Sequence, residues 1–162
     1  MKKENDLQEI AHAIVETFNA QSRANFNEVI HFEDYHGFQI FSLPNKLIDS
    51  VLSNFDYQPD NLEIEVVKVV SNLRDQIHYH EGSSAFIHIL GASHGFENPK
   101  NAFAYQDGLW IAVHDGEERL IPPKTVHGFT VEEDGVLFFL SVQYPPIVTE
   151  VKDDYHPAKD LL

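Results

Sequence analysis

Residues 116–127 read Gly-Glu-Glu-Arg-Leu-Ile-Pro-Pro-Lys-Thr-Val-His. Asp115-Gly116 is a turn signal, and Glu117–Ile121 alternates as a short strand. Pro122 and Pro123 then fix φ and stiffen the approach to the next strand. That strand carries His127, and Gly128 behind it permits a turn or close backbone packing. A histidine delivered by so rigid a segment is placed rather than incidental.

Working outward, strand signals dominate from Asn61 onward. Short apolar runs predict strands at 62–70, 73–80, 84–90, 102–106, 108–114, 117–121, 125–131 and 135–143. Turns separate them at Glu81-Gly82, Gly91 to Lys100, Gln106-Asp107-Gly108, Asp115-Gly116 and Glu133-Asp134-Gly135. So many short strands imply an all-β sandwich or barrel. Before them, Leu7, Ile10, Ala11, Ile14, Val15 and Phe18 recur at helical spacing and predict an amphipathic helix over 4–23. His12 sits beside this stripe and reads as a surface or edge residue. Two strands around His36-Gly37 are expected between Asn27 and Leu43, and a helix over 44–55 opened by Pro44. The organisation expected is an N-terminal helical and strand extension (1–60), a barrel core (61–144) and a C-terminal tail (145–162) on the surface or a partner.

Ten histidines are a large share of 162 residues. His78-Tyr79-His80 is the informative pair, because residues i and i+2 of a strand share a face. Two neutral imidazoles side by side are good donors to zinc, iron, nickel or copper. Two ligands do not complete a site, and His127 supplies the third.

The combination resembles the cupin superfamily. Its first motif runs from a Gly through HxH and a Glu to a closing Gly; here His78, His80 and Gly91 match. Its second runs Gly, five residues, Pro-x-Gly, two residues, His; here Gly116, Pro122 and His127 match without a gap. The matched motifs span roughly residues 73–131 and leave the helices and tail outside. Asn72 does not match the first Gly, and Lys124 replaces the second motif's Gly. The Glu ligand is absent, since its place falls on Ser84 or Ala85; Glu81 is a candidate substitute. The resemblance implies a cupin-type double-stranded β-helix, a jelly-roll barrel, with an N-terminal helical extension.

It also implies a metal centre at His78, His80 and His127. Three neutral imidazoles leave a divalent metal with more positive charge than two histidines and a carboxylate, favouring an anionic substrate group. The arrangement is similar to the thiol dioxygenase and diketone-cleaving dioxygenase branches, in which Fe(II) is the metal; Zn, Ni, Mn or Cu also suit imidazoles. The activity implied is a dioxygenase acting on a small organic substrate. The alternatives are a non-catalytic metal- or ligand-binding cupin and a metal-assisted sugar or keto-acid isomerase or lyase. His88, in the apolar strand AFIHIL, is a candidate base or pocket-lining group if strand parity turns it inward. Tyr105 is a candidate to orient the substrate. Arg119 and Arg74 are candidates to bind a substrate carboxylate. Cupins often dimerise through barrel faces and terminal segments, so a homodimer is implied too.

Charge excludes other classes. Twenty-six acids against 11 bases give −15, a field that repels nucleic acid and anionic membranes. There is no Cys, so neither thiolate chemistry nor a disulfide framework is available. No stretch approaches the length of a membrane span, and MKKENDLQEI lacks an apolar secretory core. The expectation is a cytoplasmic protein with a small-molecule substrate.

Overall fold

The computed structural model describes residues 2–18, 33–57, 61–149 and 151–158. In chain order the elements are α1 (Lys2–Val15), β1 (Glu33–Tyr35), β2 (Phe38–Ser42), α2 (Asn45–Leu52), β3 (Glu63–Val69), β4 (His78–Tyr79) and β5 (Ser84–Leu90). After a single 3-10 turn at Ala92–His94 come β6 (Lys100–Gln106), β7 (Leu109–Ala112), β8 (Glu118–Ile121), β9 (Gly128–Tyr144) and β10 (His156–Pro157). Among the described residues no helix is long and apolar enough to cross a membrane.

β9 organises the barrel. Its first half pairs with β6, and its second half lies between β3 and β5. The sheet order is β1-β2-β3-β9-β5-β8, with β6 and β7 joined through β9. Strand alternation then sorts the side chains. Val67, Val69, Ile87, Ile89, Ala102, Ala104, Leu137 and Phe139 form the barrel interior. Val66, Phe86, Leu90, Phe138, Leu140 and Val142 face the other way and meet the apolar stripe of α1 (Leu7, Ile10, Ala11, Ile14). The helix therefore covers the outer face of the β3-β9-β5 sheet, and the barrel keeps its own core.

The expected turn at Glu133-Asp134-Gly135 is a bulge within one continuous strand. Lys100 faces Val136 and Ala102 faces Val131, so residues 132–135 of β9 stand opposite Asn101 alone. Asp134 takes φ 58°, and the Asn101 amide donates to the Glu133 carbonyl at 3.1 Å. Turn chemistry is absorbed there as a bend that carries β9 between sheets. The expected strand at 73–80 shortens to His78–Tyr79. Its first part is a turn: the Asn72 side chain accepts the Arg74 N–H at 3.1 Å, and Gln76 N–H donates to Leu73 O at 2.9 Å. The hairpin at His36-Gly37 forms as expected, with φ of 52° and 90° in its two central residues. The parts of the expected elements at 19–32 lie outside the described residues.

Candidate metal centre

Three short segments bring the histidines together. His78 and His127 exchange both backbone hydrogen bonds, at 2.9 and 2.8 Å, outside any long strand. Facing residues of such a pair project to one side. His80 follows two residues later on the same face. Lys124 N–H donates to the His80 carbonyl at 2.6 Å and ties the Pro122-Pro123 turn to this ladder. Ring centroids lie 4.3 Å apart for His78–His127, 4.9 Å for His80–His127 and 5.0 Å for His78–His80. The ligand atoms of all three residues fall within 4.8 Å of one another.

The second nitrogen of each ring defines its tautomer. The Nδ1–H of His78 donates to Gln76 O at 3.0 Å, that of His80 to Asp154 O at 2.6 Å, and that of His127 to Thr125 O at 2.8 Å. Each Nε2 is then the atom with a free lone pair, as a metal ligand requires. Burial lowers the basicity of all three. His127 falls from 6.5 to about 4, and His78 goes well below 6.5, with the His127 ring adding repulsion. His80 shifts the same way, also chiefly through burial. Three neutral imidazoles with oriented lone pairs fit a divalent metal of borderline softness.

The tail completes the site. β10 pairs with β4, setting His156 against Tyr79 and Pro157 against His78. The Asp154 carboxylate accepts the backbone N–H of Glu81 (2.8 Å), Gly82 (2.9 Å) and Ser83 (3.2 Å), while His156 Nε2 lies 3.0 Å away. Burial would push this carboxyl up, but the N–H groups of Gly82 and Glu81, with His156, hold it down to about 2. Tyr155 stacks on His78 at 4.3 Å and on His36 at 3.6 Å. Its hydroxyl is pushed up to about 12, mainly by burial and then by Asp153. None of these tail residues is visible as a site from sequence: the tail has no periodicity, and Asp153-Asp154-Tyr155-His156 carries no spacing signal of its own.

The imidazoles open onto a cavity of about 440 Å³ within the barrel. Its walls are apolar at Phe38, Val67, Ile87, Phe129 and Phe139, and polar at Glu63, Glu65, Ser141 and Gln143. Gln143 Nε2 donates to Ser141 Oγ at 2.6 Å and reaches Glu65 at 3.4 Å, while its Oε1 is buried without a partner. Ala85 lines the cavity where a carboxylate ligand was sought, and Ser84 does not. Glu81 is exposed and does not join the histidine group.

The other sequence candidates lie elsewhere. β5 turns Ala85, Ile87 and Ile89 inward, so His88 faces outward with Phe86 and Leu90 and meets Glu118 at 3.1 Å. Tyr105 alternates with inward Ala104 and packs edge-on against Trp110. Arg119 donates to Gln106 at 2.6 Å and pairs with Glu117 at 3.3 Å; it lines a separate groove between β6 and β8. Arg74 lies over Phe103 and Trp110 and pairs with Glu132. His114 is exposed beside Glu117, and His31 lies outside the described residues.

No protein-family model and no curated protein matches this sequence. Solved structures do match its fold. KdgF from Halomonas sp. aligns with a TM-score of 0.51 and 15% identity over 74% of this chain and 90% of that one. An RmlC-like cupin from Shewanella frigidimarina gives 0.50 and 16%, covering 75% and 88%. Streptomyces PAC13 with uridine gives 0.51 and 13%, covering 78% and 81%; Pac13 is described as a nucleoside dehydratase. With a mostly antiparallel barrel, inward histidines and these neighbours, the chain has the cupin fold.

Proposed function

We propose that the chain is a metal-dependent enzyme, an Fe(II) dioxygenase acting on a small organic substrate, with the metal held by His78, His80 and His127. One observation carries the reading: three buried imidazoles converge with each Nδ1–H committed to a carbonyl, and among the described residues no carboxylate joins them. Ferrous ion in such a set supplies Lewis acidity, open coordination positions and redox chemistry with dioxygen.

The chain's own residues define the substrate. Among the described residues lining the cavity none is Lys or Arg, while Glu63 and Glu65 border it. An anionic substrate meets no cationic side chain among them. A neutral molecule that can lose a proton satisfies both the acidic wall and the uncompensated charge of a three-imidazole centre. The buried Oε1 of Gln143 asks for a hydrogen-bond donor. Ile87, Phe129 and Phe139 supply an apolar stretch of wall for the substrate's carbon skeleton.

A second reading, non-oxidative dehydration or isomerisation of a neutral polyol, is favoured by the shared fold with the Pac13 nucleoside dehydratase and by the polar wall. A test separates them. Protein reconstituted anaerobically with ferrous iron is screened with neutral diketones, thiols and nucleosides in an oxygen electrode. Oxygen uptake that is lost in His78→Ala supports the dioxygenase. Turnover without oxygen supports the second reading, and stoichiometric binding without turnover makes the chain a binding module.

A further inference from the structure

A second group of ligating side chains lies outside the barrel. We propose that His12, His88 and Glu118 form a separate site for a borderline divalent cation such as Zn²⁺, clamping helix α1 to the barrel wall. Their ligand atoms lie within 4.8 Å of one another. The three residues come from three elements: α1, β5 and β8. One carboxylate oxygen, Glu118 Oε2, receives both imidazoles: His12 Nε2 is in contact with it, and His88 Nδ1 lies 3.1 Å away. The His12 and His88 rings stand edge-on at 6.3 Å, and the His94 ring stands edge-on to His88 at 5.8 Å.

A second observation points to a ligand. His88 is only 8% exposed, and its Nε2 is buried with no hydrogen-bond partner. If Nδ1–H serves Glu118, Nε2 is a buried lone pair with nothing to accept. If Nε2 holds the proton, the Nδ1 lone pair faces a carboxylate. Neither tautomer satisfies the ring, whereas a cation that takes the Nδ1 lone pair and is neutralised by Glu118 replaces the repulsion at that nitrogen with an attraction. Two imidazoles and a carboxylate are an established zinc donor set. His12 and Glu118 are partly exposed, so a cation has a way in. The result is a metal-dependent fastening for α1, whose other hold on the barrel is the apolar stripe of Leu7, Ile10, Ala11 and Ile14.

The test removes the barrel centre first, so that it does not depend on the function proposed above. The His78→Ala/His127→Ala protein is titrated with ZnCl₂ by calorimetry, and amide exchange across residues 7–15 is followed with and without zinc. The expected result is one zinc equivalent and slower exchange in α1. His12→Gln, at an exposed position that tolerates substitution, should weaken binding about tenfold or more and abolish the zinc effect on exchange, as should Glu118→Gln. The inference is overturned if the double variant takes up no zinc. It is equally overturned if the zinc it binds is unaffected by His12→Gln and Glu118→Gln, leaving the cluster an ion pair only.

Discussion

Replacing Asp154 with Ala tests whether the tail belongs to the metal centre. The carboxylate holds three successive backbone N–H groups, at Glu81, Gly82 and Ser83, immediately after His80. Glu81 and Gly82 are exposed, so water replaces the lost oxygen there. Ser83 is fully buried, and its N–H would be orphaned. Hydrogen bonds to a charged acceptor contribute about 1.5–3 kcal/mol each, and an orphaned donor costs ~1–3 kcal/mol. With the outer two bonds discounted for solvent, the loss is about 2–3 kcal/mol. In urea this moves the unfolding midpoint down by roughly 1–2 M. The Asp154 carbonyl also accepts the His80 Nδ1–H, so a slackened tail frees that ring and should weaken metal binding by about 10–100-fold. Urea unfolding followed by Trp110 fluorescence and calorimetric metal titration read the two effects. A variant within about 0.5 kcal/mol of wild type, typical of an inconsequential surface change, and with unchanged metal affinity would refute the role given to the tail.

Three further outcomes follow from the same geometry. Ala85→Glu introduces the missing carboxylate into the cavity wall; it should destabilise the metal-free protein and tighten metal binding about tenfold, ~1.4 kcal/mol, by calorimetry. Lys124 adopts φ 66°, so Lys124→Gly should raise thermal stability by about 0.5–1 kcal/mol, the left-handed penalty less the entropy glycine adds to the unfolded chain. The metal-free protein should lose stability as pH falls below 6.5, because the unfolded chain then protonates histidines that the fold keeps neutral. For His127 the interval from 6.5 down to about 4 corresponds to roughly 3 kcal/mol of stability, fully present above pH 6.5 and lost progressively as pH falls through that window. Denaturant titrations at pH 7.5, 6, 5 and 4 check the slope, and a flat profile contradicts it.

The barrel was legible where physical constraints act on neighbouring residues. A short apolar run between turn signals places β5 at Ser84–Leu90, as read, and the spacing of Gly116, Pro122 and His127 resembles the second cupin motif. The motif's closing glycine has a visible cause: a Cβ on Gly91 would lie 2.5 Å from Asp115 Cγ. His88 shows where periodicity stops. A strand buried on both faces is apolar throughout, so AFIHIL gives no sign of which parity looks inward; the α1 stripe covering Phe86 and Leu90 settles it. The Asp134 turn signal was real chemistry, but β6 recruits it as a bulge. Asp154 and Tyr155 meet the histidines only through a pairing across more than seventy residues, which no local pattern encodes.

The central claim is that His78, His80 and His127 jointly hold one divalent metal. The direct measurement is metal content by mass spectrometry of protein reconstituted anaerobically with ferrous iron and desalted, comparing wild type with His127→Ala. The account predicts one equivalent more in the wild type than in the variant. Equal, substoichiometric metal in the two proteins would contradict it.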